Sequence, residues 1–273
     1  MNAPDVFFAP DSMRTLPDVQ SSPDQREIAI QKVGVRDVRY PVRLRGAGTG
    51  DAQPSIGTFQ MTVALPPHVK GTHMSRFIEV LEAHDSALDA AGLERLLDTM
   101  LGRLGATAGA ITMQATYFRR KVAPVSGVAS LLDYGVTLHA ERDGAQRLTR
   151  QSVDVPVTSL CPCSRDISDY GAHNQRSRIS IGVELRGALG LDEQIAVAEN
   201  SASCQLWGLL KRPDEKYVTE YAYDHPKFVE DLVRDVAVAL RGDARVAAYT
   251  VASENFESIH NHSAYAWLQG RNR

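Results

Sequence analysis

The chain has 273 residues, which is enough for one large domain or two of ordinary size and for a sizeable buried core. Hydrophobic residues make up 43% and charged residues 23%, as is normal for a soluble globular protein. The formal net charge of −3 argues against a general nucleic-acid-binding protein, but it allows a small anionic substrate held by a local basic patch.

The three cysteines, two of them close together, do not form the pattern of a disulfide framework. No stretch approaches the roughly 18 consecutive apolar residues that a membrane span needs. The first residues also lack the basic start and apolar run of a signal peptide. We therefore expect a cytoplasmic protein that binds neither nucleic acid nor a membrane.

The first half of the chain begins with a segment that shows no periodicity and continues with predicted strands and helices. Residues 1–24 are rich in Pro, Asp and Ser, which predicts a flexible arm. A helical pattern runs from Met74 to Leu104, and Gly92 is expected to divide it into two helices. Asp143-Gly144 predicts a tight turn. The strands predicted around these elements are Ile56–Leu65, Ala110–Arg119, Leu131–Ala140 and Gln146–Val157.

The second half shows a similar order of strands and helices. Ser177–Leu185 alternates cleanly and predicts a strand, and Asp192–Leu210 predicts a helix. A further helix is predicted over Pro226–Leu240, with Pro at its start and Gly242 after its end. Arg245–Ser253 predicts a strand, and the polar, then aromatic tail Glu254–Trp267 could supply the last one.

The order of strands, two consecutive helices and strands therefore occurs twice. It predicts an α+β fold with an antiparallel sheet and helices packed on one face. A parallel dinucleotide-binding fold would need strands and helices in alternation. Neither GxGxxG nor GxxxxGK[ST] stands at a strand–helix junction, so phosphate-binding loops of those types are not expected.

The stretch from Cys161 to His173 is the strongest candidate for a site. Cys161 and Cys163 are one residue apart, so in an extended backbone both side chains point to the same side. Cys and His suit zinc or a similar transition metal, and an incomplete set of protein ligands leaves room for water, as in catalytic sites. Two core cysteines with a loop histidine remain the simpler alternative. A redox pair is less favoured, because its usual motif is Cys-x-x-Cys.

Three glutamates are the acidic candidates. Glu215 lies in the charge run KRPDEKY and Glu230 on a predicted helix, where a solvated surface is the ordinary explanation. Glu257 lies beside His260 and His262, and this combination could serve in acid–base chemistry or as ligands.

Basic side chains that could grip phosphate oxygens occur in two places. Lys70, His73 and Arg76 lie in the segment KGTHMSRF, and Arg176 and Arg178 follow the histidine motif. For each of them alone, an exposed and solvated position is the alternative.

Five blocks of the chain carry a family resemblance when taken together: SLCPCSRDISDYGAHNQRS, KGTHMSRF, KRPDEKYVTE, HPKFVEDLVRDV and SENFESIHNHSAYA. They resemble the type IB GTP cyclohydrolases and run from Lys70 to Ala266, which is nearly everything after the N-terminal arm. The first block is the most specific of them.

The resemblance implies an enzyme that converts GTP and water to 7,8-dihydroneopterin triphosphate and formate, the first step of tetrahydrofolate synthesis. It implies a divalent metal, which could be zinc, manganese or iron. It also implies the tunnelling fold in two tandem modules, here residues 25–150 and 151–273. The expected assembly is a homotetramer with active sites at subunit interfaces.

For the metal, the resemblance implies the ligands Cys161, His173 and Glu215. It makes Cys163 a neighbour of the site, although spacing alone does not separate the two cysteines. Three protein ligands would leave one position for the water that attacks C8 of guanine.

For the substrate, the resemblance implies that Glu230 anchors guanine. It places Glu257, His260 and His262 in the pocket, and either histidine could be the proton donor. For the triphosphate we expect Lys70, His73, Arg76 and Arg176 on charge alone.

Two other functions stay open at this point. A non-catalytic metal-binding oligomer would use the Cys-Pro-Cys and His residues for structure, and metal would then strongly stabilise the fold. A related enzyme acting on another purine or pterin, such as a reductase of a deazapurine nitrile, would need a nucleophilic cysteine and a nicotinamide cofactor. Glu215 and His173 favour a metal over this second alternative.

Overall fold

The computed structural model describes residues 20, 22–46 and 52–273. Most of the arm predicted at residues 1–24 lies outside the described residues. In the part of the chain that is described, no helix is long and apolar enough to cross a membrane.

The strands form one antiparallel sheet, which confirms the predicted α+β class. Along the sheet the order is β1-β2-β3-β4-β5-β6-β8-β9, and the short β7 pairs with β5 beside that path. The strands are β1 (Ile30–Leu44), β2 (Gln53–Leu65), β3 (Ala108–Val122), β4 (Ala129–Asp143), β5 (Gln146–Leu160), β6 (Asn174–Leu185), β7 (Cys204–Gln205), β8 (Val246–Asn255) and β9 (Ala264–Arg271).

The helices are α1 (Met74–Glu82), α2 (Ala90–Leu104), α3 (Pro162–Ile167), α4 (Leu191–Ser201), α5 (Arg212–Asp224) and α6 (Val229–Arg241). Apolar side chains of α1, α2, α4 and α6 join those of the sheet in one hydrophobic cluster. Successive strand residues point to opposite faces, so this cluster takes one face of the sheet and leaves the other more exposed. The cluster runs through both halves of the chain, and their division into modules at 150/151 stays a prediction.

A buried polar network fastens α4 to the sheet. Glu199 of α4 accepts hydrogen bonds from the ammonium of Lys121 at 2.5 Å and the hydroxyl of Tyr134 at 2.7 Å. Arg119 donates to the other carboxylate oxygen of Glu199 at 3.1 Å. Burial lowers the pKa of Lys121 and, with the nearby carboxylate of Glu199, raises the pKa of Tyr134.

The sequence predicted that the first helical region breaks at Gly92, but the observed break is elsewhere. It lies between Glu82 and Ala90, and Gly92 is inside α2. The side chain of Asp89 accepts a hydrogen bond from the amide of Gly92 at 2.6 Å, so Asp89 is the N-cap residue. Gly92 therefore lies in the first turn of one helix and does not separate two helices.

Two helix boundaries in the second half also differ from the prediction. Helix α4 ends at Ser201, well before Leu210, because the chain turns to pair Cys204 with Thr158 of β5. Helix α6 begins at Val229 rather than at Pro226.

The strand register defines two ends of the sheet that matter for function. Val122, Leu160, Asn174 and Asn255 lie at one end, which we name the site end. Leu65, Ala108, Asp143 and Leu185 lie at the other, which we name the far end. At roughly 3.3 Å per residue, strands of this length separate the two ends by on the order of 40 Å.

Candidate active site

Cys161 and His173 are brought together at the site end by strand pairing. The last residue of β5, Leu160, pairs with Asn174, the first residue of β6. One step further out, the amide of Cys161 donates to the carbonyl of His173 at 3.2 Å. The ladder thus makes neighbours of two residues that are twelve apart in the sequence.

The loop between them is closed by its own hydrogen bonds. Cys161 is the N-cap residue of α3, whose first position is Pro162. The hydroxyl of Ser164 donates to the carbonyl of Cys161 at 3.1 Å and accepts from the amide of His173 at 3.2 Å. Gly171 has φ of 108°, a conformation that favours glycine, where the loop turns back toward β6.

The imidazole of His173 is held through one of its two nitrogens. Its Nδ1 lies 3.1 Å from Oε1 of Gln175 and 3.2 Å from Oγ of Ser258. Its Nε2 is therefore the nitrogen available to a metal. Cys161 is half-buried beside it, whereas Cys163 is exposed.

The loop that follows β8 contains the predicted acid and histidine cluster, and two of its other residues contact β6 and His173. The amide of Phe256 donates to the carbonyl of Arg176 at 2.9 Å, and Ser258 contacts His173. Further along this loop the rings of His260 and His262 stack with centroids 5.3 Å apart. Glu257 is half-buried and the two histidines are exposed.

Helix α5 packs next to the loop of Cys161 and His173. Its residues Val218 and Ala222 belong to a small hydrophobic cluster with Leu160 and Ala172. Glu215 precedes Val218 by three positions and so lies on the same side of the helix. Its side chain is exposed.

Within the described residues, no three His, Cys, Asp or Glu side chains are close enough to hold a metal ion. The structure therefore brings Cys161 and His173 together without completing a three-ligand cluster at Glu215. The donor types nevertheless fit a metal such as zinc, since Cys161 has a half-buried thiol and is joined by its backbone to His173, whose imidazole is held through Nδ1.

Asp214, which the sequence reasoning missed, fixes the start of α5. It is fully buried, and its carboxylate accepts hydrogen bonds from the amides of Val125 at 2.9 Å, Ser126 at 2.8 Å and Lys211 at 2.8 Å. Burial alone would raise the pKa of Asp214, but these bonds and one from the Ser126 hydroxyl hold it well below its usual range. An acid three residues after the N-cap was the signal available in the sequence.

Glu230 lies in the first turn of α6, where the helix dipole favours a negative charge. The segment before this helix is tied to the site end, since the amide of Lys227 donates to the carbonyl of Leu160 at 3.0 Å. The side chain of Glu230 is exposed.

The predicted phosphate-binding residues are divided between the two ends of the sheet. Arg176 is exposed near the start of β6, close to His173, whereas the neighbouring candidate Arg178 is engaged by Glu254 at 2.8 Å. Lys70, His73 and Arg76 follow β2 and lie at the far end. Within one chain, this second group is too distant to share a small ligand with Cys161.

The comparison with protein families agrees with the resemblance seen in the sequence. The family model described as type I GTP cyclohydrolase FolE2 matches residues 16–266. The chain belongs to this family. Membership in the FolE2 family argues against the alternative of a nitrile reductase.

Curated FolE2 relatives match over nearly their whole length. GTP cyclohydrolase FolE2 1 of Dechloromonas aromatica is 55% identical over 273 residues, covering 100% of both chains. GTP cyclohydrolase FolE2 of Paraburkholderia xenovorans is 58% identical, covering 93% of this chain and 94% of its own. GTP cyclohydrolase FolE2 2 of Cupriavidus metallidurans is 59% identical over the same shares of the two chains, 93% and 94%.

Solved structures with the same fold are more distant in sequence. Urate oxidase of Bacillus sp. TB-90 superimposes with a TM-score of 0.50 at 7% identity, covering 89% of this chain and 100% of its own. Uricase of Arthrobacter globiformis gives a TM-score of 0.50 at 10% identity, covering 89% and 93%. At such identities the likeness concerns the fold alone.

Proposed function

We propose that this chain is a GTP cyclohydrolase that converts GTP and water to 7,8-dihydroneopterin triphosphate and formate in the cytoplasm, as the first step of tetrahydrofolate synthesis. The proposal rests on one observation: a backbone hydrogen bond joins Cys161 to His173 at the site end of the sheet, in a chain of the FolE2 family. A thiol and an imidazole with Nε2 accessible form the start of a metal site.

In this proposal a divalent metal is held by Cys161, His173 and Glu215. Zinc, manganese and iron all accept this set of donors. When bound, such a metal lowers the pKa of a coordinated water toward neutrality and so supplies a hydroxide for attack at C8 of guanine. Glu215 would join these two ligands from α5, whose residues Val218 and Ala222 pack beside the loop of Cys161 and His173. Cys163 is a neighbour outside the ligand set.

Glu230 anchors guanine in this proposal. Guanine presents N1–H and an exocyclic amine side by side, and a single carboxylate can accept both hydrogen bonds. Adenine presents an acceptor at N1, which the same carboxylate repels. Glu230 lies in the first turn of α6, where the helix dipole favours the negative charge that this role needs.

The loop after β8 supplies the proton transfer. His260 or His262 protonates the ring nitrogen of the imidazole portion of guanine and later assists the release of formate. Glu257 orients the active histidine. The contact of Ser258 with His173 supports this role, because it holds the loop next to the proposed ligand.

We place the triphosphate between subunits. Arg176 lies near the site of its own chain, whereas Lys70, His73 and Arg76 lie at the far end and would act in the site of a second chain. This arrangement accords with a homotetramer that has active sites at subunit interfaces.

The proposal is tested with the metal-reconstituted protein and GTP. We expect equimolar formate and a pterin that becomes fluorescent after oxidation, and no product from ATP. The absence of both products with zinc, manganese and iron alike would refute the proposed activity. A strongly metal-stabilised fold without turnover would instead indicate a scaffolding role.

A further inference from the structure

Gln175 is a buried side chain that is held at both ends of its carboxamide. It lies on β6, two residues after His173, with 7% of its surface exposed. Its Oε1 is 3.1 Å from Nδ1 of His173. Its Nε2 donates to the hydroxyl of Ser159 at 3.1 Å, and that hydroxyl is 2.6 Å from the hydroxyl of Ser177.

The two serines hold the Nε2 end of the Gln175 carboxamide in place. Ser159 and Ser177 are 0% and 1% exposed, respectively, and both belong to the paired strands β5 and β6. Water therefore has little access to the Ser159 and Ser177 hydroxyls. The sheet itself, and not the loop that carries His173, thus holds Gln175 in place, with Nε2 toward Ser159 and Oε1 toward His173.

The orientation of Gln175 decides the tautomer of the neutral imidazole. A neutral imidazole has one N–H and one lone pair. If Nδ1 carries the hydrogen and donates it to Oε1 of Gln175, the lone pair is on Nε2, where a metal can bind. The opposite tautomer would put a hydrogen on Nε2 and leave no lone pair there.

We propose that Gln175 is a positioning residue that keeps His173 in the Nδ1–H tautomer and so presents Nε2 to the metal. The inference rests on the metal site of the proposed function and adds a residue to it. Groups that accept a hydrogen bond from the second nitrogen of a ligating histidine orient the ring and raise its basicity.

Ser258 is the competing partner of the same nitrogen, at 3.2 Å. A hydroxyl can donate or accept, so it stabilises either tautomer. A carboxamide oxygen only accepts, and it therefore selects one. Ser258 is also exposed, which weakens its hold on the ring.

The first test reads the tautomer directly in the metal-free, full-length protein. Histidine labelled with ¹⁵N gives long-range ¹⁵N–¹H correlations that distinguish the two tautomers, and His173→Gln identifies the signals of His173 among the 8 histidines. We expect Nδ1–H for His173 in the wild type and in Gln175→Glu, whose carboxylate also accepts. An Nε2–H signal in the wild type would overturn the proposal, and this measurement requires no Gln175 variant to fold.

The second test measures zinc binding by competition with a chromophoric chelator. Gln175→Met has a similar length but no acceptor, and we expect it to bind zinc about 10- to 100-fold more weakly. We expect Gln175→Glu to retain most of the affinity and Ser258→Ala to lose little. Unchanged affinity in Gln175→Met, or an equal loss in Gln175→Glu, would overturn the role of Gln175. A wild-type protein that binds no zinc would instead refute the metal site, while the tautomer measurement would still decide the role of Gln175.

Discussion

The amide of Cys161 donates to the carbonyl of His173 at 3.2 Å, one step beyond the last pair of the β5–β6 ladder. The two proposed ligands are therefore joined by the backbone of the sheet as well as by any shared metal. Their separation is fixed before the metal binds. This favours a preorganised site over a metal-induced fold.

Replacement of either proposed ligand, Cys161 or His173, should abolish metal retention. We expect Cys161→Ala and His173→Ala to purify without stoichiometric zinc and to give no pterin product, because two remaining protein ligands hold zinc weakly. Metal analysis after dialysis is the measurement. Cys163→Ala is the matched control and should retain both metal and turnover. Full metal content in Cys161→Ala would show that the assignment is wrong.

Replacement of Glu230 by Ala should chiefly weaken GTP binding. The variant loses two charge-assisted hydrogen bonds to guanine, for which we expect about 2–4 kcal/mol, or a KM for GTP raised at least tenfold. Steady-state kinetics with GTP and ATP will measure this. Glu220→Ala, on the exposed side of α5, is the control. An unchanged KM with intact rejection of ATP would count against the anchor.

Replacement of Glu199 by Ala should be strongly destabilising. It leaves the ammonium of Lys121 buried without its carboxylate, and removing one partner of a buried pair typically costs about 3–5 kcal/mol. Urea denaturation measures the free energy of unfolding. The double variant Lys121→Met, Glu199→Leu should recover much of that loss, because it removes both charges. A single variant as stable as the wild type would show that the network is dispensable.

Stability should depend on pH through Asp243. Hydrogen bonds from the side chain and amide of Arg245 lower the pKa of Asp243 below its ordinary value. Because the folded-state pKa is lowered, this stabilisation is complete above the unfolded pKa of about 4 and is lost as the pH falls through the folded value.

Asp243→Asn should accordingly destabilise the protein at pH 7 by about 1–2 kcal/mol. Urea denaturation of the wild type and variant at pH 7 and at successively lower pH should show the difference shrinking below the ordinary pKa of Asp. Asp37→Asn, at an exposed site, should show little difference at any pH. An equal difference at every pH would mean that the charge is not responsible.

Most of the strands could be predicted because their apolar residues alternate and face one core. Strand β1 was missed, and its register shift between Val35 and Val38 explains why. Asp37 has φ of 60° within this bulge, so the alternation changes face part-way along the strand. Helix α5 was missed for a different reason: only Asp214 and Ala222 of it are buried, so it has no apolar period.

The candidate site was only partly predictable. A short spacing suggested Cys161 and His173, and the strand pairing that makes them neighbours follows from the alternation in β6. The contact of Ser258 with His173 depends on long-range pairing of β6 with β8, which no local pattern encodes. Gln175 was overlooked because a polar residue in an alternating strand resembles a solvent-facing one, whereas here its partners are two buried serines.

Because the sheet separates the two groups of residues, diluting the protein should affect metal retention and nucleotide affinity differently. Cys161 and His173 lie within one chain, so metal retention should not depend on protein concentration. Lys70 and His73 lie at the far end, so nucleotide affinity in the proposed assembly should fall when subunits dissociate. Mixed assemblies of a Lys70→Ala chain and a Cys161→Ala chain would contain some intact sites. Mixing the two preparations should then give more GTP turnover than the sum of the two measured separately.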